Sequence, residues 1–435
     1  MKSLPMSPYQ LVVVALCTLI SALDGFDVLV VAFTAPVLSK EWGLGPADVG
    51  LLFSAGLIGM GLGALFVAPM GDWIGRRRAV IVCLGIMAVG MVASGYASSH
   101  KELMLLRVFT GLGMGGILAN LNILVGEYSN DRRRELCTSI MAVGYQVGAA
   151  FGGLVAIWIM RHYDWRAVYI AGGGAAVAFI LISLWLLPES LDFLSHRRPP
   201  NALRKVNRVL QRMGRQALAV LPEVAGGVAK GAVRKPRLSS LLEGGRAVPT
   251  VAACLTYLLV MTSVYFFMSW IPKIITQSGL STENGISASV LMNSAGVVSG
   301  VIFGLLAHHV GVRKLSAVAM VCLAAAGVWF GRSEATVTSM LTAATFVGFF
   351  IGSSVAALYA VIPKVFALPV RTTGTGLAMS FGRLGGAVGP YIAGLAMASG
   401  FDRPEYCLLL AAPVFLGALV LRWLNPIPED AAPQT

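Results

Sequence analysis

Apolar runs long enough to cross a bilayer recur twelve times in this 435-residue chain, at roughly 9–38, 47–70, 78–98, 102–126, 136–160, 166–187, 248–271, 286–307, 314–331, 335–360, 372–398 and 404–424. A helix of about 20 apolar residues spans the hydrocarbon core of a bilayer. Inside lipid the backbone N–H and C=O groups have no water to bond, and a helix satisfies them within one segment. Composition agrees: 57% of residues are hydrophobic and 12% charged, with mean hydropathy +0.77, whereas a soluble domain carries about 25% charged residues. The fold class is therefore an all-α membrane protein of twelve transmembrane helices. The first run, preceded only by Lys2, is long enough to stay as a span rather than be cleaved.

The net charge of +13 raises the question of a nucleic-acid partner, but its distribution is that of a membrane topology signal. With the N-terminus inside, Lys2, Arg76–Arg78, Arg132–Arg134, the basic residues of 188–247, Arg313, Lys314, Lys364, Arg371 and Arg422 are all cytoplasmic. Only Lys40, Lys101, Arg161, Arg166, Lys273, Arg332 and Arg403 fall outside. That asymmetry puts both termini in the cytoplasm, and no nucleic-acid motif accompanies it. The long polar segment divides the chain into an N-terminal six-helix bundle at 1–187, a cytoplasmic linker at 188–247 and a C-terminal six-helix bundle at 248–435. Pro199-Pro200, scattered arginines and Gly226-Gly227 argue against a compact domain there. Ala202–Gln216 reads as a basic amphipathic helix on the membrane surface, facing anionic lipid.

The halves repeat. Gly148 and Gly152 match Gly385 and Gly389 at an offset of 237, which also pairs Arg134 with Arg371, Gly111 with Gly348 and Gly115 with Gly352. An offset of 236 pairs Pro36 with Pro272 and Gly75 with Gly311. Parallel repeats of six spans are the plan in which a substrate site lies near the midplane between halves.

Four charges interrupt the apolar runs: Asp24, Asp27, Arg107 and Arg383. A charge at mid-bilayer costs about 2.5–3.5 kcal/mol on insertion scales, so such residues face a bundle interior and mark substrate or proton paths. Asp24 and Asp27, at i and i+3, share one helix face, and two carboxylates in a low-dielectric site are suited to proton coupling. Arg107 lies about five residues inside span 4, near enough to its outer end to snorkel outward or to turn in. Arg383 is about 16 Å inside span 11 at the helical rise, too deep to snorkel. Its counterpart in the repeat is Gln146 of span 5, so two central helices offer a carboxylate clamp and a neutral donor. Phe26, Tyr145, Tyr265, Phe266, Trp270, Tyr359 and Phe381 are candidates to line an aromatic cavity. His308 and His309 read as loop residues, and six cysteines without a CxxC pair imply neither metal nor disulfide framework. No cofactor is expected. The absence of a GxxxxGK[ST] loop excludes an ATP-driven pump.

Gly71-Asp72-Trp73-Ile74-Gly75-Arg76-Arg77-Arg78 joins spans 2 and 3, with Gly75 permitting a tight turn, Asp72 placed to latch a neighbouring helix end and the arginines placed to bond carbonyls or lipid phosphates. This segment resembles the loop signature of the major facilitator superfamily, with Ala68 where that pattern has its first glycine. Its copy at Gly304 through Lys314 carries His308 in place of the aspartate. The Asp24-Gly25-Phe26-Asp27 run resembles one branch, the aromatic acid:proton symporters. So do Arg107 through Gly116 with Glu127-Tyr128, Trp270-Ile271-Pro272, and Gly382-Arg383-Leu384-Gly385. The resemblance covers essentially the whole chain. It implies a non-enzymatic transporter of two pseudo-symmetric six-helix bundles, a monomer in the bacterial inner membrane, importing an aromatic or related cyclic or unsaturated carboxylate with protons. Asp24 and Asp27 then carry proton coupling. Arg383, Arg107, Gln146 and the aromatic residues bind substrate, while Asp72, Gly75, Arg76, Arg77 and Glu127 gate the conformational cycle. The alternative is a proton-driven exporter. That class carries Gly-Pro in span 5, where this chain has Gly148-Ala149.

Overall fold

The computed structural model describes residues 5–221, 247–366 and 370–424. Lys2, Gly226-Gly227, the basic residues at 230, 234, 235, 237 and 246, and the side chain of His308 lie outside the described residues. Among the described residues there is no strand. The helices are α1 Pro8–Glu41, α2 Pro46–Phe66, α3 Met70–Ile74, α4 Arg76–Ser94, α5 His100–Tyr128, α6 Arg134–His162, α7 Trp165–Leu186, α8 Leu191–Arg197, α9 Ala202–Arg212, α10 Ala247–Gln277, α11 Thr282–Val310, α12 Val312–Arg332, α13 Val337–Val361, α14 Arg371–Ala398 and α15 Arg403–Val420.

Eleven of these helices are long and apolar enough to cross a membrane. The remaining predicted span coincides with α14, 28 residues long, whose apolarity is lowered by Arg383 and its many glycines. Polarity runs inside out relative to a soluble protein. Leu65, Phe66, Val89, Leu105, Trp158 and Trp185 are exposed, while Ser94, Arg107, Thr110 and Asn120 are buried. An apolar exterior of this kind is a surface made for lipid.

Helix ends carry local signals. Ser99 caps α5 by accepting from the Glu102 backbone N–H, and Thr336 caps α13 by accepting from that of Ser339. The two caps stand 237 residues apart, the offset of the sequence repeat. Gly75 ends α3 at φ 99° and ψ 148°, and Gly311 ends α11 at φ 91° and ψ 128°. Side-chain-bearing residues rarely adopt that backbone, so the break between spans requires glycine twice, at equivalent positions.

Contacts divide the chain into two compact units, one of Met1–Val28, Gly59–Gly152 and Ile159–Val233, the other of Leu29–Ile58, Gly153–Trp158 and Arg234–Thr435. In the first, α4 packs on α5 and α7. There α1 meets α6 where Gly25 abuts the Tyr145 backbone and Gly148 abuts the Ala22 backbone, and α2 meets α5 where Gly115 abuts the Met60 backbone. In the second, α10 packs on α14 and α11 on α13. Gly385 abuts the Leu258 backbone and Gly352 that of Gly296. The partners are themselves repeat mates: Ala22 and Leu258, Met60 and Gly296, each at an offset of 236. The sequence repeat is thus a repeat of helix crossings, each made by glycine so that two backbones touch. The second unit also seats the N-terminal part of α2 on α14. Gly50 abuts Pro390 and Gly394, and the Ser54 hydroxyl bonds the Ala387 carbonyl at 2.5 Å.

One expectation needs correction. Ala202–Arg212 is a basic amphipathic helix, but its apolar face is not spread on a membrane. Val206 and Leu210 pack on Leu194 of α8, joined by Leu191, Phe193, Leu218 and Leu221. A protein partner for the apolar face lay within the same linker, so α8 and α9 form a small core of their own. Only the basic face, with Arg204, Lys205, Arg208 and Arg212, remains exposed.

The crossings predict opposite signs for one substitution. Gly148→Ala and Gly385→Ala place a methyl group against backbone, so both lower the melting temperature in detergent. Gly85→Ala and Gly300→Ala point into open space and raise it slightly, since alanine stabilises a helix interior over glycine by about 0.5–1 kcal/mol. Equal shifts at all four positions would refute the assignment.

Candidate functional site

The i, i+3 spacing on α1 carries Asp24 and Asp27 inward, where they are 0% and 1% exposed. Across from them, Arg107 of α5 turns in rather than snorkelling and is 2% exposed. Its Nη1 donates to Asp27 Oδ1 at 2.7 Å. Its Nη2 donates to Ser94 Oγ at the end of α4 and to Thr110 Oγ1 one turn along α5, each at 3.0 Å. The guanidinium carbon stands 5.1 Å from the ring centroid of Tyr169 on α7, within cation–π range. The bridge is single-pronged: Asp27 Oδ2 and Arg107 Nε, both buried, have no hydrogen-bond partner among the described residues. Four helices of the first unit thus converge on one buried ion pair, flanked by a second carboxylate.

Phe26, between the two aspartates, is closed in packing, its ring against Gly152 of α6 and Gly172 of α7. Gln146 and Tyr145 are half-buried on α6. In the second unit, Arg383 is half-buried on α14, near enough to α13 for its charge to act on Tyr359, which is 58% exposed. Tyr265 lays its ring on Gly386 of α14, and Phe381 is exposed on α14. Trp270 is fully enclosed. Its indole N–H donates to the Pro390 carbonyl at 3.0 Å and its ring meets Phe53 edge-on at 5.2 Å. Phe266 is equally buried, against Phe267. The structure therefore gathers Asp27 and Arg107 into one cluster beside Asp24, and encloses Phe26, Phe266 and Trp270 in packing.

Four of the five predicted gating residues, Asp72, Gly75, Arg76 and Arg77, lie at the break between α3 and α4, and Glu127 lies against the start of α8. Asp72 pairs with Arg76 one turn on, and Arg76 Nη1 reaches Asn120 Oδ1 of α5 at 3.2 Å. The link to the neighbouring helix therefore runs through Arg76. Arg77 bonds the Leu184 carbonyl near the end of α7, and its backbone N–H donates to Glu189 Oε1 at 3.0 Å. Glu127, at the end of α5, accepts from the Ser190 hydroxyl at 2.8 Å and from the Leu191 backbone N–H at 3.0 Å, fixing the start of α8. Tyr128 donates to the Glu189 carbonyl at 2.7 Å. Sequence reasoning missed Ser94, Thr110, Tyr169, Asn120, Glu189 and Ser190. Of these only Glu189 left a signal, an acid placed directly after a span at the head of a basic segment.

Repeated membrane-length helices around a buried ion pair and a deep arginine define a polytopic membrane protein of the transporter class. The family model described as Major Facilitator Superfamily matches residues 15–330 and 295–435, and the chain belongs to that superfamily. It is 30% identical over 430 residues to the gallate transporter of Pseudomonas putida, covering 96% of this chain and 92% of that protein. It is 29% identical over 423 residues to the 4-hydroxybenzoate transporter PcaK of Pseudomonas aeruginosa, covering 97% and 94%. The fold matches the partially occluded inward-open structure of the xylose transporter XylE from E. coli with TM-score 0.77, at 16% identity, over 98% of this chain and 100% of that one. The protein is thus a transporter of the aromatic acid group within the superfamily, an integral membrane protein and not an enzyme.

Removing one partner of a buried pair leaves the other charge uncompensated, at a cost of about 3–5 kcal/mol. Asp27→Asn therefore lowers the unfolding temperature in detergent steeply. Asp27→Asn combined with Arg107→Met, which removes both charges, recovers much of the loss. A double variant as unstable as the sum of the two single variants would contradict the pairing.

Proposed function

We propose that this protein imports an aromatic or related cyclic or unsaturated carboxylate together with protons across the bacterial inner membrane by alternating access, with both termini cytoplasmic. The observation that carries the reading is the wholly buried Asp27–Arg107 pair. In a low dielectric such a pair depends on charge. A proton taken by the open Asp27 Oδ2 removes the attraction without displacing the existing bond, and loosens α1 from α5. Asp24, one turn away on the same face, is the second group through which the proton passes. An element held in one arrangement when ionised and freed when protonated is what couples a proton gradient to alternating access.

Arg383 receives the substrate carboxylate, with Tyr265 and Phe381 supplying ring contacts; Gln146 and Tyr145 are the donor candidates of the first unit. Its half-buried position and its proximity to the exposed Tyr359 support that role. The names of the gallate and 4-hydroxybenzoate relatives, together with those of a benzoate transport protein and a niacin transporter of Acinetobacter baylyi, support a ring-bearing acid as cargo. Asp72, Gly75, Arg76, Arg77 and Glu127 gate the cycle from the cytoplasmic side, as the basic excess on that face suggests. The protein acts as a monomer, with the exposed basic face of α9 toward anionic lipid.

Reconstitution tests this directly. Proteoliposomes given labelled gallate, 4-hydroxybenzoate, benzoate and nicotinate accumulate at least one of them under an inward proton gradient, and a protonophore abolishes the accumulation. Asp27→Asn protein that inserts normally loses gradient-driven accumulation; undiminished accumulation in that variant sinks proton coupling at this residue. Arg383→Lys keeps the charge but loses the planar fork. It weakens equilibrium binding of the transported acid by about tenfold or more, and parental affinity would remove Arg383 from the binding site.

A further inference from the structure

We propose that Ser94 and Thr110 are positioning residues of the proton switch: they hold the Arg107 guanidinium on the α4–α5 side when Asp27 is protonated, so that the proton releases α1 and leaves Arg107 in place. The proposal rests on the reading that Asp27 takes up the proton.

Each hydroxyl has one proton to give. Ser94 Oγ spends its proton on the Gly90 carbonyl at 2.6 Å, and Thr110 Oγ1 spends its own on the Leu106 carbonyl at 2.8 Å. What each turns toward Arg107 is therefore lone pairs only, and both accept from Nη2 at 3.0 Å. The arrangement is built for a cation. Room for it is made by Gly90 of α4, where a Cβ would strike Thr110 Oγ1. Ser94 and Thr110 are both 0% exposed, so neither hydroxyl has bulk water as an alternative partner.

The consequences differ on the two sides of the guanidinium. Toward α1 it has one bond, to a group whose charge a proton cancels. Toward α4 and α5 it has two bonds to neutral acceptors and the Tyr169 ring, none of which loses its acceptor character when Asp27 is protonated. The titratable and charged groups around Asp27 are few. They are Arg107 of α5, Asp24 on α1, Cys83 of α4 within electrostatic reach of Asp24, Tyr169 of α7, and Tyr145 of α6, whose backbone abuts Gly25. With the hydroxyls present, a buried Arg107 keeps partners after Asp27 is neutralised. Without them the buried cation depends on the Asp27 charge and the Tyr169 ring. Protonation of Asp27 then strands it, and the carboxylate stays ionised to lower pH.

Infrared difference spectroscopy on the whole protein reads this without a substrate. A protonated-carboxyl C=O band that titrates in the parent and is missing from Asp27→Asn reports Asp27. In Ser94→Ala with Thr110→Val, its titration midpoint moves down by about one pH unit or more, the scale set by losing hydrogen bonds to a buried charge. Each single substitution, which disturbs folding less, moves it part of the way. Ser94→Thr and Thr110→Ser, which restore the hydroxyls, hold the parental midpoint. A midpoint unmoved in folded Ser94→Ala and Thr110→Val proteins overturns the proposal, because a merely structural role changes yield and melting temperature without moving the band. If Asp27→Asn leaves the titrating band intact, the assignment of the proton to Asp27 fails first, and the proposal falls with it.

Discussion

In hydrocarbon a polar group has no solvent to fall back on, and most of this structure answers that constraint. The backbone meets it by helix formation in every described span. Arg107 meets it with a carboxylate, two hydroxyls and a ring drawn from three other helices and its own. The hydroxyls meet it in turn by bonding carbonyls one turn back on their own helices, Ser94 to Gly90 and Thr110 to Leu106. Remove any one group and its neighbours stay buried with one partner fewer. In such a low dielectric one charge decides which contacts persist.

The sequence made the spans, the repeat and the four intramembrane charges readable because each rests on a short-range rule. Length and apolarity define a span, an offset of 237 defines the repeat, and a charge in an apolar run stands out unaided. The partners of those charges were not readable. Ser94 and Thr110 are ordinary residues for a membrane helix, and nothing in one sequence says that α4 and α5 bring them to the same guanidinium. Arg107 left two readings open, and burial against Asp27 settled for the inward one. The aromatic residues divide into enclosed and exposed for a related reason. Trp270 and Phe26 differ from Phe381 only in which side of a helix meets a neighbour, and that is a tertiary fact. The linker misled in the other direction. The amphipathic pattern of Ala202–Gln216 was visible, and the helix runs to Arg212, but the pattern cannot tell lipid from α8 as the surface that covers its apolar face.

The break between α3 and α4 shows how a short motif acquires meaning from distant chain. Gly75 is required by its backbone angles. The residues around it are held by groups from the ends of α5 and α7 and the start of α8: Asn120, Leu184, Glu189. Glu127 then fixes Ser190 and Leu191. A loop that joins two neighbouring spans is thereby tied to the first residues after α7, so movement of α4 carries the head of the linker with it.

The glycine crossings have a consequence for motion. Where Gly148 lies on the Ala22 backbone and Gly385 on that of Leu258, the contact is main chain against main chain, with no rotamer to choose on the glycine side. Side chains that lock into one another surrender torsional freedom when they meet and regain it when they part, at up to about 2 kcal/mol for the longer ones. A glycine face surrenders none. Such surfaces separate and rejoin with little entropic hysteresis, a bearing rather than a clasp, which suits the helix movements that the proposed alternating access calls for.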